Sequence, residues 1–143
     1  MSERLPDGRD GLPSALHPEG WAPPVGHAHG MTATGRFVIA AGQVGWDPTT
    51  ATFMSDDVTA QTAQALRNVV AVLRAGGAGP EHLVRLTWYF TSREEYVRAR
   101  PGIGAAYREI IGRHYPAMAV VMVSALVEER AKVEIEATAV VPE

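Results

Sequence analysis

The chain contains no cysteine, which excludes disulfides, thiolate metal centres and a cysteine nucleophile. It has no excess of positive charge: 13 Lys and Arg stand against 16 Asp and Glu, a formal net charge of -3. Phosphate contacts need a basic footprint, so nucleic acid is not an expected partner. No apolar run approaches membrane-spanning length, and the first residues lack the charged-then-apolar pattern of an export signal. No membrane partner and a cytoplasmic location are therefore expected. Repeats and internal linkers are missing too. Gly76-Gly77-Ala78-Gly79 has neither the order nor the lysine of a phosphate loop. None of Ser14, Ser55, Ser92 and Ser124 sits in a nucleophile elbow.

What remains is one domain's worth of chain: 143 residues, 46% hydrophobic and 20% charged, enough to bury a core. Residues 1–24 carry Pro6, Gly8, Gly11, Pro13, Pro18, Gly20, Pro23 and Pro24. Such punctuation reads as an arm without regular structure, anchored at most by Trp21. Residues 25–143 read as a single domain.

Within it, His27 to Thr34 leads through a hairpin turn at Gly35-Arg36 into a strand from Phe37 to Val44. Asp56 or Ser55 can cap a helix from Val58 whose apolar stripe is Val58, Thr62, Ala65, Leu66, Val69, Val70 and Leu73; Gly76-Gly77 stops it. The next strand, Leu83 to Phe90, puts Val84, Leu86, Trp88 and Phe90 on one face and Arg85, Thr87 and Tyr89 on the other. Ser92 and Glu95 form a capping box, so a helix starts at Arg93; Pro101 should break or kink it, and a second piece runs to Gly112.

The stretch Arg113 to Val140 ends the pattern. Pro116 opens a β-branched apolar run, and Val133, Ile135, Ala137 and Ala139 then alternate with Lys132, Glu134, Glu136 and Thr138. Two strands joined through Glu128-Glu129-Arg130 should pair, making Met118 and Glu134 neighbours at a pocket edge. The order is β-β-α-β-α-β-β, an α+β pattern with helices on one face of a mixed sheet.

Pro116-Ala117-Met118 opening a strand, Val133-Glu134-Ile135-Glu136 on the next, Gly42-Gln43 at a strand end, Asp47-Pro48 in the following turn and Ala65-Leu66-Arg67-Asn68 in a helix together resemble the RidA/YjgF superfamily of enamine/imine deaminase-like proteins. The resemblance covers residues 20–142 and implies a chorismate-mutase-like fold, a homotrimer, intersubunit pockets and no cofactor. It implies that Glu134 positions water or shuttles a proton in imine hydrolysis. The sequence departs from that pattern at three points. Met118 stands where the deaminase branch has a carboxylate-holding arginine, Ala41 where a serine ends the strand, and Ala28 where a pocket tyrosine is common.

On periodicity alone Glu134 also fits a solvated face shared with Lys132, Glu136 and Thr138. Met118, followed by Ala119 and Val120, is expected to wall the substrate pocket, although methionine also fills irregular core gaps. Methionine cannot pair with a carboxylate as arginine does; if another cation takes over, Arg93, Arg100, Arg113 and His114 are candidates, each of which also reads as a surface charge. His27 and His29 are spaced to share a strand face and could chelate a metal, but no third ligand is evident and no metal is expected. His29 reads instead as a substrate-binding or surface group. Gln43 could bind substrate or satisfy the backbone at a strand end. Trp88 and Tyr89, with Trp46, could supply aromatic walls for an unsaturated substrate, and core packing serves Trp88 equally well.

The first reading is hydrolytic deamination of a small-molecule enamine or imine, such as an amino-substituted unsaturated acid of the 2-aminomuconate type, to a carbonyl compound and ammonia. Its alternative is a trimer of the same fold that binds a metabolite or a protein partner without catalysis. Ribonuclease activity is a third reading, disfavoured by the acidic balance and the missing arginine.

Overall fold

The computed structural model describes residues 11–143; the first ten residues of the expected arm lie outside that range. Helix α1, Val58–Ala75, forms on the stripe read from the sequence, and every member of it is buried. Its cap is Asp57, one residue beyond the expected pair. The Asp57 carboxylate accepts from the Ala60 amide at 2.9 Å while Ser55 Oγ accepts from the Asp57 amide at 3.0 Å, so Ser55 supports the cap instead of forming it. Gly76 closes the helix and Gly77, at φ 79°, turns the chain away.

Strands β3 (Arg36–Val44), β4 (Leu83–Phe90), β5 (Ala117–Met122) and β6 (Val133–Val141) make one sheet in the order β3-β6-β4-β5. β4 and β5 are parallel and are joined by helix α2 (Arg93–Ile110); β6 runs antiparallel to both β3 and β4. The two helices pack with Ala40, Leu86, Trp88, Phe90, Val133 and Ile135 in a single core on one side of the sheet. This is the expected α+β class with helices on one face.

Several expectations are corrected. β5 and β6 do not pair, because β4 lies between them. The crossover through α2 carries β5 to the far side of β4, and residues 123–132 are long enough to bridge the resulting gap of about 10 Å. The arm contains a strand: β1 (Ser14–Leu16) pairs antiparallel with β2 (Gly30–Thr32), giving the order β-β-β-α-β-α-β-β. β2 and β3 are therefore not a hairpin. The chain passes between them at Gly35, φ 150°, where any Cβ would lie 2.1 Å from the Val141 carbonyl oxygen. A register shift after Leu83 puts Leu83 in the core and leaves Val84 half-exposed. Pro101 sits inside an unbroken α2. Its exposed position lets water take the carbonyl that the missing N–H leaves free.

Among the described residues no helix is long and apolar enough to cross a membrane.

Candidate active site

Alternation along β6 sends Val133, Ile135, Ala137 and Ala139 into the core and Glu134, Glu136 and Thr138 to the opposite, helix-free face. There Glu134 stands opposite Tyr89 on β4 and Val44 on β3. Tyr89 donates to Glu136 Oε1 at 2.9 Å. That hydrogen bond raises the Tyr89 pKa above the ordinary tyrosine value, helped by the negative charges of Glu136 and Glu134 and opposed by Arg85. Glu134 itself is half-buried, and among the described residues no hydrogen bond or ion pair engages its carboxylate.

Its position is set by the backbone. β3 is irregular between Ala40 and Gln43, and the bare Cα of Gly42 lies directly under the carboxylate: a Cβ there would sit 2.8 Å from Glu134 Cδ and Oε1. Gln43 donates its amide to the Ala41 carbonyl at 3.2 Å across this irregularity. Buried Asn68 of α1 donates to the Val44 carbonyl at 3.1 Å and the Trp46 carbonyl at 2.9 Å, fixing the end of β3. Buried Gln61 does the same for β6. It donates to the Ser55 and Arg130 carbonyls at 3.0 Å each and accepts from the Lys132 amide at 2.8 Å. The sequence reading missed Gln61; a lone amide on the apolar side of a helix, where an uncompensated polar group would be costly, was the available signal.

The other side of the sheet carries a cavity of about 790 Å³ between α2, the β4–β5 edge and the segment Val25, Gly26 and His27 that follows the arm. Trp88, Tyr96, Ile103, Tyr107, Tyr115, Met118 and Val120 give it aromatic and aliphatic walls, while His27, Arg100 and Arg108 supply polar groups. Tyr107 donates to the His114 carbonyl at 2.5 Å and stacks on Tyr115; burial pushes its pKa up. The indole N–H of Trp88 is buried with no partner among the described residues.

The expected residues thus divide between two faces. Met118 lies opposite Leu86 and, with Trp88 and Val120, lines the cavity. Ala119, opposite Thr87, shares the open face with Tyr89 and Glu134. Met118 and Glu134 are therefore not neighbours within one chain, contrary to expectation. His29 is exposed and lies outside the cavity, where His27 takes its place; His29 Nε2 donates to the Ala22 carbonyl at 3.2 Å, and the ring meets that of Trp21 edge-on at 4.9 Å. Among the described residues no three His, Asp or Glu side chains converge on a metal position. Trp46 packs on Phe53 and is absent from the cavity wall. Of the candidate cations, His114 bonds the Leu83 carbonyl at 2.7 Å, Arg93 and Arg113 are exposed, and only Arg100 reaches the cavity. Ala28 is buried and its amide donates to the Pro116 carbonyl at 3.0 Å, tying the segment that leads into β2 to the start of β5.

The profile of the family described as Endoribonuclease L-PSP matches residues 21–141. The chain is 36% identical over 110 residues to protein DfrA of Myxococcus xanthus, covering 74% of this chain and 77% of that protein. It is 33% identical over 109 residues to the 2-iminobutanoate/2-iminopropanoate deaminase of Salmonella typhimurium, covering 74% and 80%. Among solved structures it is similar to YyfB of Yersinia pestis, a protein of unknown function of the conserved Rid family, with a TM-score of 0.78, 34% identity and coverage of 91% and 99%.

Proposed function

The chain belongs to the RidA/YjgF (endoribonuclease L-PSP) family, and on that premise we propose that it hydrolyses an enamine or imine to a carbonyl compound and ammonia. One observation carries the proposal: the Glu134 carboxylate, which the motif resemblance matches to the family's glutamate, is half-buried, unengaged among the described residues and held over the bare backbone of Gly42. A carboxylate so placed can take a proton from water as the oxygen attacks the imine carbon. Returning that proton to nitrogen lets the C–N bond of the carbinolamine break, so imine and water become carbonyl and ammonia with no redox change. The 2-iminobutanoate/2-iminopropanoate deaminases among the relatives perform a deamination of this class, as their name states.

The reaction centre forms between copies of the chain. Phe37 and Ile39 on the open face are 66% and 65% exposed, and Val120, Val121 and Met122 lie exposed on the edge strand β5. Apolar surface of this extent favours self-association. A homotrimer, the closed assembly expected from the family, brings the open face bearing Glu134 against the β5 edge and cavity mouth of a neighbour.

A second reading is favoured by Met118, Ala41 and Ala28 together: a trimer that binds a metabolite without converting it. Ammonia release from 2-iminopropanoate and from 2-aminomuconate, each generated in situ, separates the two. Turnover above the uncatalysed rate supports the deaminase; a ligand bound and recovered intact supports the binding module. The family's ribonuclease label finds no support in the net charge of -3 or in the paired glutamates on the open face, which repel a phosphate backbone.

A further inference from the structure

With Trp88, Met118 and Val120 as its sheet wall, the cavity has no cation on that side, but the helix wall supplies two. Arg100 and Arg108 both line the cavity and lie on one side of α2, with Gly104 between them at four-residue spacing. Long side chains on a helix lean toward its N-terminus, and both arginines do. The Arg100 guanidinium lies over the Tyr96 ring, 5.2 Å from its centre. An added Cβ at Gly104 would come within 3.3 Å of Arg108 Nη1, so the Arg108 side chain lies back across Gly104. A glycine in mid-helix costs about 1 kcal/mol relative to alanine; here it opens the space that Arg108 occupies.

Neither guanidinium has a carboxylate within 4.0 Å among the described residues. The acids of the first turn of α2 are turned elsewhere, Glu94 to Arg98 and Glu95 to Lys132. Because α2 runs back between the parallel strands β4 and β5, its C-terminal half lies beside the start of β5. The Trp88–Tyr107 and Tyr107–Tyr115 ring contacts mark that level. Arg108, leaning one turn back from there, lines the same cavity as Met118, Val120 and Trp88.

We infer that Arg108 is the anion anchor of this cavity: it holds the carboxylate of a planar unsaturated or aromatic acid, whose apolar body packs among Trp88, Tyr107, Tyr115 and Met118. A methionine at position 118 then offers a soft apolar contact to such a ligand, where an arginine would crowd a second cation against Arg108. Arg100, stacked on Tyr96, adds positive potential at the far end without being the direct partner.

The inference deepens the deaminase reading by naming the acid class of its substrate, but it is tested by binding alone, so the two can fail separately. Probes are trans-cinnamate and its neutral amide, measured by titration calorimetry at pH 7 on wild type, Arg108→Gln, Arg108→Lys and Arg100→Gln. Wild type is expected to bind cinnamate roughly tenfold or more tighter than cinnamamide, the range of a charge-assisted contact. Arg108→Gln should weaken cinnamate by that factor while leaving the amide unchanged, Arg108→Lys should recover part of the difference, and Arg100→Gln should retain most of it. All four proteins should melt alike, since both arginines are exposed. Equal affinity for acid and amide in wild type, absence of cinnamate binding, or acid preference that survives Arg108→Gln would each overturn the assignment. Turnover lost in Glu134→Gln with cinnamate binding unchanged leaves it standing.

Discussion

Gly42 and Glu134 occupy adjacent strands with no room for a methyl group between them: a Cβ on residue 42 would lie 2.8 Å from both Cδ and Oε1 of the carboxylate. The pair couples a backbone choice on β3 to the placement of the proposed general base on β6. Gly42→Ala should push the Glu134 side chain aside, since its flexible end yields more readily than the strand. Ammonia release should fall roughly tenfold or more, as expected for a misplaced reacting group, while the melting temperature stays within a few degrees. An unfolded Gly42→Ala protein, or one with full turnover, contradicts this coupling.

Gln61 joins three backbone groups of the segments flanking Ser55 and Lys132. Gln61→Leu keeps the volume and strands those groups in the interior. A loss of about 2–4 kcal/mol is expected from unsatisfied buried polar groups, read as a shifted midpoint in urea unfolding. Gln61→Glu should restore the bond from the Lys132 amide only. It should set a carboxylate against the Ser55 and Arg130 carbonyls, so it is not expected to rescue stability.

Gly45 is buried, and a Cβ there would fall 2.2 Å from the Gln61 carbonyl oxygen and 2.6 Å from its Cα. Both contacts are backbone, so nothing nearby can swing away. Gly45→Ala should therefore cost more than about 3 kcal/mol and leave little folded protein at 37 °C. A melting temperature equal to wild type contradicts the close approach of β3 and α1.

The legible part of this fold was local. The stripe Val58 to Leu73 and the alternation of Val133 to Ala139 each commit a segment to one buried face, and both are found as read. The Ser92 cap was equally plain, accepting from the Glu95 amide at 3.2 Å. Strand partners were not legible, because nothing in Met118 to Met122 or Val133 to Val141 says that β4 will lie between them. That nonlocal fact puts a strand between Met118 and Glu134, and the register of β5 on β4, with Met118 opposite Leu86, turns Met118 to the face away from Glu134. Arg108 was missed for a related reason: its charge reads as a solvated helix surface until α2 is set against the β5 edge. The pairing of β1 with β2 hides in a proline-rich stretch whose composition argues against any strand.

The ionisation of Tyr89 has a defined sign. Its folded pKa is raised, chiefly by the hydrogen bond to Glu136, so the neutral phenol is favoured in the native state. The stabilisation is complete below the unfolded tyrosine pKa of about 10 and is lost as pH rises through the higher folded value. Glu136→Gln should lower the pKa of Tyr89, seen as earlier growth of tyrosinate absorbance in an alkaline titration compared against Tyr89→Phe. No change between wild type and Glu136→Gln would remove the hydrogen bond as cause.

The proposed self-association is argued from the exposed Phe37 and Ile39. Sedimentation should give a trimer for wild type and a monomer for Phe37→Lys/Ile39→Lys, with the monomer folded but inactive. A monomeric wild type would leave Glu134 and the cavity of a neighbour with no means of meeting.

The most direct test is ammonia release from 2-iminopropanoate and 2-aminomuconate by wild type, Glu134→Gln and Glu136→Gln. Acceleration by wild type should drop to the uncatalysed rate in Glu134→Gln, with the assembly intact, and survive largely in Glu136→Gln. Turnover undiminished in Glu134→Gln, or none in wild type with either substrate, would contradict a reaction centred on Glu134.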